Sequence, residues 1–214
     1  MDDQASQSVG CVVLAAGQGL RFGAPKQLAE LGGRPLLDHV LKTASTAPVA
    51  HVVVVLGAGA SEVLDRVELR GAEPVICDTW REGMAESLKS GVAALRDVEA
   101  AAVLLGDQPL ISPAAIERLI SERGAGRVAV RATYGGHPGH PVVLERSLFQ
   151  SIVELRGDAG ARNLLERADV AGVPCEDVAD PLDVDSPADL RLAEVKLGPV
   201  GLGRGLDESA PSSG

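Results

Sequence analysis

The sequence predicts an α/β fold in which a mostly parallel sheet carries helices on both faces. Apolar runs of strand length alternate with amphipathic stretches of helix length, an order typical of strand–helix–strand units around a parallel sheet. Several runs are apolar throughout, as expected for strands that are buried on both faces. The length of 214 residues, with 45% hydrophobic and 23% charged residues, fits one globular domain with at most a modest appendage.

The first half of the chain supplies four predicted strands and four predicted helices. The strands are Val9–Ala15, His51–Leu56, Pro74–Cys77 and Ala101–Leu105. The helices are Pro35–Ala44, Ser61–Val67, Ala85–Arg96 and Pro113–Arg123. Ser112 is a good helix cap, and Pro113 suits the first helical position.

The second half predicts a less regular, smaller lobe at about residues 127–175. Strands are expected at Arg127–Tyr134 and Pro141–Leu144 around a Gly/His turn, followed by helices at Glu145–Leu155 and Asp158–Arg167. A last helix begins near Ser186-Pro187. Residues 198–214 hold 5 Gly, 2 Pro and 3 Ser and predict a disordered tail. With a flexible N-terminus at 1–8, residues 9–197 are predicted to form a single domain.

Composition excludes several classes of function. A net charge of −10 and only four aromatic residues argue against nucleic-acid and membrane-surface binding. The polar, acidic start of the chain does not resemble a signal peptide, and no apolar stretch is long enough to span a membrane. Three widely spaced cysteines argue against disulfides or zinc and favour buried core positions in a reducing cytoplasm. We therefore expect a cytoplasmic protein that acts on small molecules.

The segment after the first strand predicts a polyphosphate site. Its small residues let the backbone approach a ligand, its amides can bind an anion, and Arg21 and Lys26 add positive charge. It is not a Walker A loop, because Lys26 is followed by Gln27 instead of Ser or Thr. It is not a dinucleotide fingerprint either, since Phe22 takes the place of the third glycine and the second strand ends without an acid.

Carboxylates near two strand ends predict a magnesium site. Asp107 follows the run at Ala101–Leu105, and one or two carboxylates with substrate phosphates are enough to hold Mg²⁺. Asp183 and Asp185 alternate along an extended segment, so only one of them faces such a metal easily. Either could instead cap the helix at Ser186-Pro187.

The pattern LAAGxGxRFGxxKQL at residues 14–28 resembles the MobA-like nucleotidyltransferases, and most closely the molybdopterin cytidylyltransferases. Further matches follow in order at residues 83–88, 105–109, 139–142, 157–162 and 183–187, so the resemblance covers about residues 9–195. It implies a Rossmann-like fold of the nucleotide-diphospho-sugar transferase type. The implied reaction moves a nucleoside monophosphate from CTP to the phosphate of molybdopterin or molybdenum cofactor, with Mg²⁺, and releases pyrophosphate.

The resemblance also implies roles for individual residues. Arg21, Lys26 and Asp107 are the expected catalytic residues. Asp185 becomes the second metal ligand after Asp107. The nucleotide-binding residues are Leu14, Ala15, Ala16, Gly17, Gly19, Arg21, Lys26, Met84, Ser87 and Asp107. The acceptor-binding residues are His140, Asp158 and Arg162, with Gly135–Pro141 as a loop over the acceptor. A molybdoenzyme or its chaperone is the implied protein partner.

Alternatives remain open at this level. Within the class, GTP could be the donor, or a sugar or lactate phosphate the acceptor. From other classes, an NAD(P)-dependent oxidoreductase or a non-catalytic nucleotide carrier would also use a glycine-rich loop after the first strand. The presence of both Asp107 and Asp185 disfavours a carrier, which needs no metal carboxylates.

Overall fold

A computed structural model describes residues 9–17, 25–124, 126–157, 164–166 and 169–201. Seven strands form one sheet in the order β5-β4-β1-β6-β8-β7-β9, and β2 pairs with β3 in a separate ribbon. The strands are β1 Val9–Ala15, β2 Glu30–Leu31, β3 Arg34–Pro35, β4 Val52–Leu56, β5 Glu73–Ile76, β6 Ala100–Leu105, β7 Ala129–Tyr134, β8 His137–Glu145 and β9 Val170–Pro174. The helices are α1 Leu36–Thr46, α2 Ala60–Arg66, α3 Met84–Ala94, α4 Pro113–Ser121, α5 Phe149–Val153 and α6 Pro187–Gly201.

The sheet is mostly parallel, as the sequence predicts. β1 lies at its centre and pairs in parallel with β4 and with β6, while β4 pairs in parallel with the edge strand β5. β8 runs antiparallel to both β6 and β7, and β9 is parallel to β7. The carboxyl ends of β1, β4 and β6 therefore meet at one edge of the sheet, where open α/β sheets bind their ligands.

Helices cover both faces of the sheet. Side chains of α1, α2 and α4 share one apolar core with the odd-numbered residues of β1, while α3 and α5 pack against the opposite face. Gly91 of α3 lies so close to Val12 and Val55 that a Cβ at this position would overlap both side chains. A glycine is therefore required where this helix crosses the sheet.

Two glycines let the strand ends approach one another at the carboxyl edge. A Cβ on Gly106, just after β6, would lie 2.8 Å from the Cβ of Ala15 at the end of β1. A Cβ on Gly57, just after β4, would lie 2.8 Å from the backbone oxygen of Ala16 and 2.7 Å from the Trp80 ring. The segments that follow these strands are thereby held close together, and they carry the polar residues described below.

The structure corrects the expectation that Gly135–Pro141 forms a loop. The turn consists of Gly135 and Gly136 alone, with φ of 56° and 80°, and β8 begins at His137. Two consecutive residues with positive φ form the tight turn that best fits the twist of a hairpin, and glycine adopts this conformation without strain. His140 is therefore a strand residue and not a loop residue.

Other differences concern short or irregular elements. The sequence did not predict β2, β3 or β9, which are two to five residues long. The helix expected over 145–155 is a 3₁₀ turn at Arg146–Leu148 followed by the short helix α5. The last helix continues to Gly201, past the expected start of the tail, with a break in its backbone at Gly198. Of the helix expected over Asp158–Arg167, only residues 164–166 lie within the described residues, and they are helical.

All three cysteines are buried and unbridged, which confirms that they fill the core. Burial raises the pKa of the Cys11 thiol to about 12. None of the helices in the described ranges is long and apolar enough to cross a membrane.

Candidate active site

A lysine bound between two aspartates lies at the carboxyl edge of the sheet. Lys26 Nζ is 2.7 Å from Asp107 Oδ2 and 2.7 Å from Asp185 Oδ1. The three residues are far apart in the sequence, at separations of 81 and 159 residues from Lys26. Lys26 and Asp107 are largely buried, with side-chain exposures of 16% and 26%, whereas Asp185 is 56% exposed. The cluster therefore opens to solvent on the side of Asp185.

Lys26 is held at this edge by the residue next to it. A 3₁₀ turn spans Lys26–Leu28, and the buried Gln27 donates from Nε2 to the backbone oxygens of Ala15 at 2.5 Å and Gly17 at 2.8 Å. Two hydrogen bonds to the end of β1 fix both the backbone of the turn and the direction of the Gln27 amide. Lys26 is consequently positioned against the strand ends before any ligand binds.

The two aspartates are joined by hydrogen bonds between their segments. The Val184 amide donates to the Asp107 backbone oxygen at 3.0 Å. Gln108 Nε2 donates to Asp183 Oδ1 at 2.9 Å and more weakly to the Pro181 backbone oxygen at 3.3 Å. Asp183 thus binds Gln108 while Asp185 binds Lys26, in keeping with the alternation expected for an extended segment.

The charges of the cluster act on its titratable groups. Burial lowers the pKa of Lys26, but the charges of Asp107 and Asp185 and their hydrogen bonds outweigh it, and the net pKa is raised. Lys26 is therefore a fixed positive charge. The pKa of Asp183 is raised, chiefly by its burial and also by the neighbouring carboxylates, although its hydrogen bond from Gln108 acts in the opposite direction.

The donor set at this edge fits a hard divalent cation. Asp107 Oδ1 is buried and has no hydrogen-bond partner among the described residues. Within those residues no group of three or more His, Cys, Asp or Glu side chains forms a metal cluster. A pair of carboxylates is nevertheless sufficient for Mg²⁺, which retains waters and takes further oxygens from substrate phosphates.

Two cavities adjoin the cluster and share Leu14, Gly17 and Asp107 in their walls. The smaller, of about 110 Å³, lies against Lys26 and Gln27. The larger, of about 360 Å³, extends to the start of α3, where Met84 and Ser87 line it. A ligand that binds in the larger cavity would therefore contact the end of β1, Asp107 and the first turn of α3 together.

The larger cavity includes two residues, Trp80 and Arg81, that the sequence did not predict for the site. The Arg81 guanidinium lies 4.6 Å from the centroid of the Trp80 ring, in a cation–π contact, and both residues line the cavity. Gln27 and Gln108 were also missed, because nothing in the sequence shows which glutamine is buried. Trp80 had one signal, since it is the single tryptophan of the chain and lies three residues before Gly83, where the Gly83–Ser87 motif begins.

The structure brings only part of the predicted site together. Lys26, Asp107, Asp185, Met84, Ser87 and the residues Leu14 to Gly17 all lie at this edge. Gly19, Arg21, Asp158 and Arg162 fall outside the described residues, and their predicted roles stay predictions. Gly157, which directly precedes Asp158, accepts a hydrogen bond from the Ala85 amide of α3 at 3.2 Å.

His140 lies on the β8 side of the same edge. β6 and β8 pair from Ala100 and Glu145 up to Val103 and Val142, and His140 lies two residues before Val142 in β8. Tyr134 Oη donates to the His140 backbone oxygen at 2.8 Å. Burial and the charge of Arg131 lower the pKa of His140 from its ordinary value of 6.5 to about 4, although Asp107 opposes the shift. The imidazole is therefore neutral at pH 7.

This lowered pKa predicts acid sensitivity of the fold. The unfolded chain protonates His140 near pH 6.5, whereas the folded protein resists protonation down to about pH 4. The stabilisation from a neutral His140 is thus present above pH 6.5 and is lost as the pH falls from 6.5 to 4, by up to about 3 kcal/mol. His140→Gln should flatten the pH dependence of the free energy of unfolding in this window. Urea unfolding at pH 7, 5.5 and 4.5 checks this, and an unchanged dependence would contradict it.

The α/β fold and the polar cluster at its carboxyl edge are compatible with a nucleotide-binding enzyme, and the comparisons with known proteins identify the family. Residues 11–172 match the model of the MobA-like NTP transferase domain, and the chain belongs to this family. Among curated relatives, the nicotine blue oxidoreductase of Paenarthrobacter nicotinovorans is 34% identical over 186 residues, which cover 82% of this chain and 91% of that protein.

Two solved structures resemble this chain over most of its length. The Rv0371c homologue from Mycobacterium sp. strain JC1 is 36% identical, with a TM-score of 0.78 over 89% of this chain and 99% of that chain. Rv0371c of Mycobacterium tuberculosis H37Rv, in a complex with manganese, is 29% identical, with a TM-score of 0.75 over 88% and 99% of the two chains.

More distant structures share the α/β fold alone. The molybdopterin-guanine dinucleotide biosynthesis protein A of Archaeoglobus fulgidus is 22% identical, with a TM-score of 0.66 over 87% of this chain and 97% of that one. A CMP:2-keto-3-deoxy-manno-octonic acid synthetase in complex with CTP is 16% identical, with a TM-score of 0.72 over 89% and 98% of the two chains.

Proposed function

We propose that this protein transfers cytidine monophosphate from CTP to the phosphate of molybdopterin or molybdenum cofactor. The observation that carries the proposal is the contact of Lys26 with both Asp107 and Asp185, next to a cavity that reaches the start of α3. An acidic chain must neutralise two anionic substrates to bring them together, and this cluster offers both a fixed cation and carboxylates for a metal.

In the proposed reaction an oxygen of the acceptor phosphate forms a bond to the α-phosphorus of the nucleotide. The bond from that phosphorus to the bridging oxygen breaks, and its electron pair leaves with pyrophosphate. The acceptor phosphate is already ionised at pH 7, so no general base is needed. The rate then depends on positioning and on charge neutralisation.

Each residue of the cluster has a proposed task. Asp107 and Asp185 would hold Mg²⁺, which supplies positive charge to the phosphates. Lys26, which neutralises these carboxylates in the ligand-free protein, would stabilise the charge that develops on the departing pyrophosphate. The predicted contact of Arg21 with the same group adds to this role.

The choice of cytidine rests on the segment at Gly83–Ser87 and on the cavity beside it. This segment and Asp107-Gln108-Pro109 resemble the cytidylyl branch of the family more than the guanylyl branch. We expect CTP to exceed GTP clearly in kcat/KM, because a pocket closed on a pyrimidine does not admit a purine.

A panel of nucleoside triphosphates with Mg²⁺ and molybdopterin, read as pyrophosphate release, checks the choice of base. Equal use of CTP and GTP would remove cytidine from the proposal and leave the nucleotidyltransferase class. Replacing molybdopterin by a sugar phosphate or a lactate phosphate in the same assay tests the acceptor independently of the nucleotide.

One observation favours a second candidate, an NAD(P)-dependent oxidoreductase. A relative that is 34% identical over most of its length bears the name of an oxidoreductase. Against it, β4 is followed by Gly57 and Ala58, so the acid that commonly binds the cofactor ribose is missing from this position. NADPH oxidation with nicotine blue, measured on the same preparation, distinguishes the two candidates.

A further inference from the structure

Trp80 is held in a fixed position just beyond the end of β4. Its ring lies so close to Gly57 that a Cβ on this glycine would fall 2.7 Å from the ring Cγ. The ring also packs against a buried apolar cluster that includes Val55 and Cys77. The Trp80 amide donates to the Cys77 backbone oxygen at 3.3 Å, at the start of the 3₁₀ turn Trp80–Glu82. The indole is therefore a rigid surface at the carboxyl edge of the sheet.

The Arg81 guanidinium lies over this rigid surface. It is 4.6 Å from the centroid of the Trp80 ring, within the range of a cation–π contact, and Arg81 is exposed in spite of this contact. A guanidinium is planar, so each of its faces can stack on a flat group, whereas an ammonium has no flat face. Trp80 and Arg81 together therefore form a platform, here called the tryptophan–arginine platform, on which a second flat group can stack.

The platform lies in the wall of the larger cavity, across the end of β1 from Asp107. Asp107 follows β6, and Trp80 packs against the residue that follows β4; these two strands flank β1 on opposite sides. Because neighbouring strands are ~4.8 Å apart, the ends of β4 and β6 are separated by about 10 Å. A ribose and its phosphate can bridge such a distance. A nucleotide whose phosphate lies at Asp107 can therefore reach the platform with its base.

The linings of the two cavities support the same orientation. Lys26 lines the smaller cavity and not the larger one, whereas the platform lines the larger cavity and not the smaller one. Apolar side chains of the described residues form much of the remaining wall of the larger cavity, namely Leu14, Ala16, Met84 and Leu105. Apolar walls with a few polar groups suit a flat ring system better than a polyphosphate, which is better placed beside Lys26.

We propose that the guanidinium of Arg81, held in place by Trp80, stacks on the base of the bound nucleotide. The inference rests on the proposed nucleotidyl transfer, because that function places the phosphates at Lys26 and Asp107. Trp80 is a positioning residue, which fixes the plane of the guanidinium without contacting the base. The contact with the face of the base adds affinity for the whole nucleotide and none for its phosphates.

This role differs from that of a positive charge that attracts the phosphates. A lysine supplies such a charge as well as an arginine does, and loss of the charge weakens the binding of CTP and of inorganic tripolyphosphate alike. A stacking contact requires both the planar guanidinium and a base. Arg81→Lys therefore distinguishes the two roles, because it removes the flat group and keeps the charge. Arg66→Lys makes the same change at an exposed arginine of α2 that lines neither cavity, and is the matched control.

The test is isothermal titration calorimetry of the full chain with CTP and, separately, with tripolyphosphate, both in the presence of Mg²⁺. We expect Arg81→Lys to weaken CTP binding by roughly 5–30-fold, the value of a desolvated cation–π contact. The affinity of this variant for tripolyphosphate should equal that of the wild type, and Arg66→Lys should bind both ligands as the wild type does.

The fluorescence of the wild type supplies a second readout that needs no variant. Trp80 is the single tryptophan of the chain, so its emission reports on the platform alone. Saturating CTP should change this emission, because the base stacks on the guanidinium that covers the ring. Saturating tripolyphosphate should leave the emission nearly unchanged.

The outcomes separate this inference from the proposed function. Wild-type CTP affinity in Arg81→Lys, or unchanged tryptophan emission at saturating CTP, would overturn the inference alone. Equal losses of CTP and tripolyphosphate affinity would show that Arg81 acts on the phosphates, which also overturns it. Absence of CTP binding in the wild type would overturn the proposed function as well. If Arg81→Lys fails to fold, the emission of the wild type still decides.

Discussion

Asp107→Asn should reduce nucleotidyl transfer by at least 100-fold and weaken the binding of divalent cations. The substitution preserves size but removes the charge that binds Lys26 and, in the proposed function, the metal. A loss of this size corresponds to about 2.7 kcal/mol or more of transition-state stabilisation. The fold should persist with a small loss of stability, because Lys26 still binds Asp185. Pyrophosphate release and thermal unfolding of the same preparation measure both effects.

Asp183→Asn is the matched control, since it makes the same chemical change at a neighbouring carboxylate. Asp183 accepts from Gln108 and makes no hydrogen bond to Lys26, and an Asn in its place still offers an accepting oxygen. Activity should therefore fall only slightly. A damaging Asp183→Asn together with a mild Asp185→Asn would show that the second metal ligand was assigned to the wrong aspartate. If Asp107→Asn instead lowered the melting temperature and left activity near normal, Asp107 would be a structural residue.

Lys26→Met should reduce turnover by about 10²–10³ while increasing the affinity of the ligand-free protein for divalent cations. Turnover falls because one preorganised charge at a transition-state phosphate is worth ~2.7–4 kcal/mol. Cation affinity rises because Lys26 competes for the same two carboxylates, at 2.7 Å from each. Methionine retains most of the length of the side chain, so the measured effects report chiefly on charge. Steady-state kinetics and Mn²⁺ titration provide the two readouts.

Lys42→Met is the control for the loss of a positive charge at a distance from the site. Lys42 lies on α1 and is exposed, and neither cavity beside the cluster includes it. Its substitution should change neither turnover nor Mn²⁺ affinity. Normal kcat and KM in Lys26→Met would remove Lys26 from the reaction, whatever its effect on cation binding.

The regular part of the fold could be predicted from the sequence because its signals are strong and local. The strand at Val9–Ala15 was predicted with the bounds that the structure gives, since seven consecutive small or apolar residues are buried between two parallel neighbours. Ser112 likewise caps α4 through a bond from the Ala115 amide, with Pro113 at the first helical position. β2 and β3 were missed because two-residue strands have no detectable periodicity.

The site was predictable in its residue types but not in its contacts. The choice of Lys26 and Asp107 came from the glycine-rich segment and the strand end, and the structure brings them together from 81 residues apart. Alternation along the segment requires only that Asp183 and Asp185 point to opposite sides, and it does not say which of them lies next to Lys26. In the structure Asp183 accepts a hydrogen bond from the Gln108 amide, whereas Asp185 contacts Lys26. The side-chain oxygens of Gln27 and Asp107 that have no partner among the described residues are visible only once burial and side-chain directions are known.

The central claim is that the cluster of Lys26, Asp107 and Asp185 is the centre of a nucleotidyl transfer. The most direct measurement follows CTP labelled at the α-phosphorus, with Mg²⁺ and molybdopterin, in the wild type and in Asp107→Asn. We predict that the label appears on the pterin product with equimolar pyrophosphate in the wild type, and that both signals fall at least 100-fold in the variant. Equal label transfer by the two proteins, or no transfer by the wild type with any nucleotide, would contradict the claim.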